Sequence, residues 1–277
     1  MINVDVLVVN YLTPELTLQA VKSVSGPGVR VLVQDNSGDL GPDVAELAEV
    51  SGDGANLLFA EANNRLFARS GAPLVLLLNP DVVLEEPALA GLVAALEKHP
   101  SAWGAAPQLR DPDGELQNYF RRLPGLRALL ADRCPPLRVL WKRELALHYC
   151  RDMDLTVSGL VDQPPAACLL VRRDRIEGTL FDPSYPLFFN DTDLARRLNS
   201  KGSCLYVAEV HAIHHVGASI NRARVAHRSW IRRQYDDSLL RYARSNLRGW
   251  QLLVPIVMAR RAAARRPVPP PRTRPPG

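Results

Sequence analysis

The sequence contains no uninterrupted run of about 18 apolar residues, which excludes a membrane-spanning helix. It has few cysteines: Cys134, Cys150, Cys168 and Cys204 are scattered, with no Cys-x-x-Cys pair. That excludes a zinc knuckle or a disulfide frame, and the thiols read as reduced in a cytoplasmic protein. Strand-like residues begin at once after the first methionine, so no signal peptide is expected. There is no internal repeat and no nucleic-acid-binding signature, and no nucleic-acid partner is expected. Acidic residues stop at Asp237, after which come Arg241, Arg244, Arg248, Arg260, Arg261, Arg265, Arg266, Arg272 and Arg274. A basic end of this kind suits anionic lipid or a phosphorylated substrate, or is simply a solvated face.

What is present is an ordinary globular composition. The chain has 277 residues, 47% of them hydrophobic and 23% charged, with a formal net charge of +5. One large domain or two small ones fit that length. Val4 to Val9 reads as an apolar strand ending at Asn10-Tyr11, and Thr13-Pro14-Glu15 then starts a helix. Val29 to Val33 reads as a second strand, ending in Gln34-Asp35-Asn36-Ser37, so a βαβ unit opens the chain. Pro42 to Val50 reads as a helix, Asn56 to Ala60 as a short strand, and Glu61 to Ser70 as a helix. Leu74 to Leu78 is a continuous apolar run stopped by Asn79-Pro80-Asp81, as for a strand buried on both faces.

A helix is expected over Ala88 to Lys98, a strand over Trp103 to Leu109, and a hairpin return over Glu115 to Phe120 after Asp111-Pro112-Asp113-Gly114. Residues 121–150, rich in Arg, Leu and Pro, suggest helices at 124–131 and 136–149 and little more. A strand over Ala166 to Val171, a helix over Asp191 to Ser200, and strand runs Cys204–Ala208 and Val210–His214 follow. Basic helices come after that, with an apolar stretch from Leu252 to Met258, and a disordered Pro/Arg tail is expected from 267 to 277.

The polar residues that could carry chemistry sit at strand ends or loop–helix junctions: Asp35, Asp81, Asp191 with Asp193, and His214. Each has a plain alternative. Asp35 and Asp81 suit turns, Asp191 a helix cap, Asp193 a first-turn acid, and His214 a core histidine. Together they fit a sugar-nucleotide enzyme. Asp35 can accept the imide N–H of uracil or thymine, and Asp81 can hold Mg²⁺ or Mn²⁺ against a diphosphate. Asp191 can deprotonate an acceptor hydroxyl, and His214 can complete the metal shell or contact a phosphate oxygen. A nucleotidyltransferase would want a Gly-rich loop after the first strand, and Asn10-Tyr11-Leu12-Thr13 has no glycine.

In order, Val-Val-Asn-Tyr, Asp-Asn-Ser, Leu-Leu-Leu-Asn-Pro-Asp, Asn-Asp-Thr-Asp-Leu-x-x-Arg and His-x-x-Gly-x-Ser span about residues 3–220. This series resembles the family 2 glycosyltransferases with the GT-A fold, in particular their rhamnosyltransferase-like members. The resemblance implies an α/β, Rossmann-like fold with a mostly parallel central sheet flanked by helices and a C-terminal helical extension. It implies a glycosyltransferase domain over residues 1–220, with a donor half to about 110 and an acceptor half from 111, then basic helices over 221–266. It implies donor-binding residues Asn10, Tyr11, Asp35, Asn63 and Asn79, metal ligands Asp81 and His214, and catalytic residues Asp191 (base) and Asp193 (support); Arg65, which follows Asn63 closely, could add a charge for the diphosphate.

The reaction implied is inverting hexosyl transfer from a dTDP- or UDP-sugar, with Mg²⁺ or Mn²⁺, to a glycan, lipid-linked or small-molecule acceptor. The place implied is the cytoplasm, with peripheral contact at the inner membrane face through the basic C-terminus, and a homodimer is allowed. On this reading, residues from 251 onward rest on the membrane and are separable from the fold. The rival reading is a degenerate, non-catalytic sugar-nucleotide or glycan-binding protein. It draws on departures from the family pattern: Leu58 and Ala62 stand where glycines are usual, Ala166 replaces another glycine, and Asn190 replaces a glutamate. Losing that negative neighbour is expected to ease ionisation of Asp191.

Overall fold

A computed structural model describes residues 2–215 and 218–263, the side chains of 218–227 and 263 excepted. The expected tail at 267–277, with Gly217 and the Ser219 side chain of the histidine motif, lies outside the described residues. The strands are β1 (Val4–Asn10), β2 (Val29–Asp35), β3 (Glu49–Ser51), β4 (Leu74–Leu78), β5 (Val82–Leu84), β6 (Ala102–Arg110), β7 (Gly159–Val161), β8 (Cys168–Arg172) and β9 (Ser203–His214). The helices are α1 (Pro14–Val24), α2 (Pro42–Ala45), α3 (Leu58–Arg69), α4 (Ala88–Lys98), α5 (Leu126–Arg133), α6 (Pro135–Leu140), α7 (Lys142–His148), α8 (Asn190–Leu198), α9 (Ala218–Asn246) and α10 (Leu253–Ala263).

The strands form one sheet, ordered β3-β2-β1-β4-β8-β6-β9-β5, with β7 also on β9. Its first half, β3 to β4, is parallel. β8 then runs antiparallel to both β4 and β6, so the sheet as a whole is mixed. Successive side chains of a strand point to opposite faces, and β1 is apolar on both. Val6 and Val8 join α1 and α4 in one core, while Leu7 and Val9 join α3 and α8 in the other. The one charge in β1 has a purpose: the buried Asp5 carboxylate accepts the Gly71 and Ala72 N–H groups at 2.6 and 3.0 Å.

Several local expectations are corrected. The helix expected to run to Val50 stops at Ala45, and Glu49–Ser51 pairs with β2, where Glu49 bridges Arg30 (2.7 Å) and Arg69 (3.2 Å). The strand expected over Asn56–Ala60 is instead the entry to α3. Asn56 Oδ1 takes the Leu58 N–H at 2.9 Å, an Asx turn that competes with a ladder. Residues 115–120 make only an isolated bridge, Arg110 with Leu116, and then run extended to a second bridge between Arg121 and Gln163. The two runs before His214 are one twelve-residue strand, β9. The 136–149 helix is broken at Trp141 into α6 and α7.

The largest correction concerns the C-terminal end. α9 and α10 pack with α5 in a third core made of Leu129, Leu130, Tyr185, Phe189, Leu239, Tyr242, Leu253 and Val257. Leu253 and Val257 are fully buried, whereas Leu252 and Met258 are exposed. Residues 251–263 are therefore part of the fold, their apolar stretch split between a core face and a solvent face.

Candidate active site

β1 and β2 run parallel in register, Asn10 opposite Asp35, so both residues reach the same sheet edge. In open α/β sheets that edge receives ligands. Asn10 Nδ2 donates to Asp35 Oδ1 (2.9 Å), Ser37 Oγ (3.1 Å) and Asp39 Oδ1 (2.6 Å). Asp35 Oδ1 also accepts the Ser37 and Gly38 N–H groups at 3.1 and 2.9 Å, while Oδ2 takes only a longer bond from Leu40 N, 3.3 Å. Asp35 thus folds its own loop mainly through one oxygen. Tyr11 follows, half-buried, at the mouth of that loop.

β4 ends at Leu78, and a tight turn, closed by Val82 N donating to Asn79 O at 3.1 Å, carries Asp81 into β5. β5 pairs antiparallel with the end of β9, Val82 opposite His214. Asp81 and His214 are both buried, and His214 Nε2 lies 3.8 Å from Asp81 Oδ1. The imidazole is fixed by Gln117. Its amide Nε2 donates to the His214 carbonyl (3.1 Å), so its Oε1 must face His214 Nδ1 (3.0 Å) as an acceptor. The ring proton therefore sits on Nδ1, and the Nε2 lone pair faces Asp81. Burial lowers the His214 pKa against the pull of Asp81, which keeps the ring neutral. Tyr119 packs edge-on against the ring, with centroids 5.3 Å apart.

A carboxylate oxygen and an oriented imidazole nitrogen fit a divalent cation. Among the described residues no group of three His, Cys, Asp or Glu converges. The pair therefore fits an ion whose remaining ligands come from diphosphate oxygens and water, not a cage made by the protein alone.

The third part of the site is at the start of α8. Phe189, in the left-handed region at φ 63°, turns the chain into the helix. Asp191 then lines a cavity of about 320 Å³, together with Arg121, Tyr149, Gln163, Phe188 and Tyr235 among others. Burial raises the Asp191 pKa, opposed by hydrogen bonds from Thr192 and Gln163 and by the Arg121 charge. The burial of the Asp191 carboxyl thus sets the direction of its shift, and Asn190 adds no charge beside it. Two bridges tie this cavity to the metal-type pair. Asn79 N donates to Ala167 O at 2.8 Å, on the segment that carries Gln163. Gln117, Tyr119 and Arg121 alternate along one extended strip, the first two on His214 and the third at Asp191.

Three expected residues are placed differently. Arg65 is exposed on α3, paired with Glu61 at 3.0 Å. Asn63 is buried inside α3, donating to the Phe59 carbonyl at 2.9 Å. Asp193 holds Arg197 at 2.8 Å, and Arg197 in turn reaches the Leu180 carbonyl, so Asp193 braces the loop before the site. Sequence reasoning missed Gln117, Tyr119, Arg121, Tyr149, Gln163 and Tyr235. The i, i+2 alternation of Gln117, Tyr119 and Arg121 was the one signal available for any of them.

No family model matches the chain. Among solved structures, it superposes on the mannosyltransferase PcManGT from Pyrobaculum calidifontis in complex with GDP-Man and Mn²⁺, with a TM-score of 0.53 and 14% identity, covering 94% of this chain and 69% of that one. It also superposes on S. aureus TarS 1-349 with a TM-score of 0.52 and 13% identity, covering 88% and 74%. For GalNAc-T7 with UDP, GalNAc and Mn²⁺ the TM-score is 0.54 at 14% identity, and the chain spans 44% of that protein's length. The fold is GT-A, shared with the solved glycosyltransferases named above. In sequence it is rhamnosyltransferase-like. Over 224 residues it is 29% identical to the N-acetylglucosaminyl-diphospho-decaprenol L-rhamnosyltransferase of Mycobacterium tuberculosis strain H37Rv, covering 72% of this chain and 70% of the relative. The figures for the same protein from strain CDC 1551 / Oshkosh are identical.

Proposed function

We propose that this chain transfers a sugar, rhamnose or another deoxyhexose, from a dTDP- or UDP-donor to a hydroxyl of a polyprenyl-diphosphate-linked glycan, with inversion. The observation that carries this reading is the half-buried carboxylate of Asp191 at an aromatic-lined cavity, joined by residues 117–121 to the Asp81–His214 pair. The relatives suggest the substrate classes: a lipid-linked acceptor for the rhamnosyltransferase, GDP-Man with Mn²⁺ for PcManGT, and UDP, GalNAc and Mn²⁺ for GalNAc-T7.

Asp191 takes the acceptor hydroxyl proton as the oxygen attacks the anomeric carbon. The bond to the nucleoside diphosphate breaks, and its electron pair leaves with the phosphate oxygen. A base with a raised pKa holds that proton more firmly, a contribution typically of about 10²–10⁴-fold. Arg121 keeps enough of the carboxylate ionised to act. Asp81 and His214 would hold Mg²⁺ or Mn²⁺, which supplies charge compensation to the departing diphosphate. Asp35 Oδ2 receives the base, and Asn10, Tyr11 and Asn79 line the donor edge.

A lipid-linked acceptor requires work at the inner membrane face. The contact is better supported at α6 than at the C-terminal stretch. Val139 and Leu140 are 82% and 69% exposed, beside exposed Arg138, Lys142 and Arg143. A thermal-shift screen of nucleotide-sugars with and without Mn²⁺ tests the donor reading. The expected result is Mn²⁺-dependent stabilisation by a dTDP- or UDP-sugar that Asp81→Ala removes. Equal stabilisation of Asp81→Ala would take Asp81 out of the site.

A further inference from the structure

Phe189 is the last residue before α8, two positions ahead of Asp191, and its backbone is left-handed at φ 63° and ψ 4°. That region is free to glycine and strained for a residue with a Cβ. The position also lacks the usual support of a helix start. Ser, Thr, Asp and Asn are preferred there because their side chains accept a backbone N–H, and a phenyl ring makes no such bond. Nothing local in the sequence favours this turn, yet α8 begins on it: the Asp193 N–H donates to the Phe189 carbonyl at 2.9 Å. A strained residue persists only where its surroundings over-determine it.

Those surroundings are supplied by α9. Tyr235, Leu239 and Tyr242 stand at i, i+4 and i+7, on one face of that helix, and pack in the same core as Phe189. The Phe189 ring meets both tyrosines, Tyr235 edge-on with centroids 5.5 Å apart and Tyr242 tilted at 5.4 Å. Tyr235 also packs on Phe188 at 5.3 Å, and the Arg133 guanidinium of α5 lies 3.9 Å above its ring centre. Aromatic pairs at such separations attract beyond the area they bury, so these contacts offset the strain of the turn. We infer that Tyr235 and Tyr242 are positioning residues, which hold Phe189 in its left-handed turn and so set Asp191 in the wall of the cavity. α9 is then part of the catalytic unit. The inference rests on the reading above for Asp191 as the base, but not for the turn itself. Tyr235 also lines the cavity, so direct contact with an acceptor is the rival role for it.

The experiment uses the full chain and two substitutions at one position. Phe189→Ala removes the ring and keeps the Cβ, whereas Phe189→Gly removes both. Two quantities are read: kcat and donor KM for transfer to a lipid-linked acceptor, and hydrogen exchange at the Asp193 amide, which reports the turn without any turnover. Phe189→Gly should turn over at least about fivefold faster than Phe189→Ala at similar donor KM, because only alanine keeps the left-handed penalty. Its Asp193 amide should also exchange more slowly. Tyr235→Leu should lower kcat at least about tenfold in the wild type but less than about threefold in the Phe189→Gly background, where no ring is needed to hold the turn. Equal losses in both backgrounds would make Tyr235 an acceptor contact and overturn the inference, as would Phe189→Gly no better than Phe189→Ala in turnover and exchange. Should Phe189→Ala fail to fold by circular dichroism, the Tyr235→Leu comparison decides alone. A wild type that never transfers sugar, with the exchange order of the variants as expected, would fail the reading of Asp191 as base and leave the positioning of its turn standing.

Discussion

Leu253→Ala probes how far the C-terminal helix belongs to the fold. Leu253 is fully buried in the core that α10 shares with α5 and α9, together with Val257 and Tyr242. Leucine-to-alanine changes at such sites cost about 2–5 kcal/mol, as lost transfer energy plus a residual cavity. That should lower Tm by roughly 5–15 °C for a chain of this size. The upper part of the range is expected because the site cannot collapse easily. Asp236 on α9 is fully buried, its pKa raised by that burial, and the charges of Arg133, Arg261 and Arg260 oppose the rise. Loosening α10 takes two of those arginines from a buried carboxylate. Urea denaturation of the full chain followed by circular dichroism is the assay. A loss below about 1 kcal/mol with an unchanged slope would refute the packing argument. It would also restore α10 as an accessory segment.

Two further outcomes test separate parts of the account. Leu58 sits at φ 63°, where L side chains are strained by about 1–2 kcal/mol, and its side chain joins no core cluster. Leu58→Gly should therefore raise stability by about 1 kcal/mol, and a destabilised variant in urea would show that the side chain matters more than the backbone. Val139→Asp with Leu140→Asp should abolish sedimentation with phosphatidylglycerol vesicles while leaving the circular dichroism spectrum intact. Loss of binding from Leu252→Asp with Met258→Asp instead would move the contact to α10.

Most of the sheet was legible because its strands are short apolar runs with punctuated ends. Leu74 to Leu78 stops at Asn79-Pro80-Asp81, and β4 ends where the proline demands. The weaker elements were not, because their reasons are tertiary. β3 is three residues held at the sheet edge by Glu49 and two arginines, and β5 exists only because β9 is there to pair with it. Leu58 shows a limit of pattern reading: a leucine adopts the left-handed backbone that a glycine in that place would take freely.

The site was half legible. Asp35, Asp81, Asp191 and His214 stand at strand or helix ends where sequence can point. Gln163 and Arg121 lie in segments without periodicity, and they meet Asp191 only because 121 and 163 bridge across some forty residues of intervening helices. The sign of the Asp191 shift was also out of reach. Sequence shows the neighbour at 190, but not the burial that sets the direction of the shift.

The account turns on Asp191 as the base of a transfer reaction. The most direct measurement is transfer from a dTDP- or UDP-sugar to a lipid-linked acceptor as a function of pH, for wild type and Asp191→Asn, with donor binding measured alongside. Because burial raises the carboxyl pKa above its ordinary 3.8, activity should be lost as pH falls through a value higher than that, and be retained above it. Asp191→Asn should lose at least about 10²-fold in turnover at every pH while binding donor as wild type does. Turnover retained by Asp191→Asn, or a wild type that binds donor and never transfers it, would contradict the assignment.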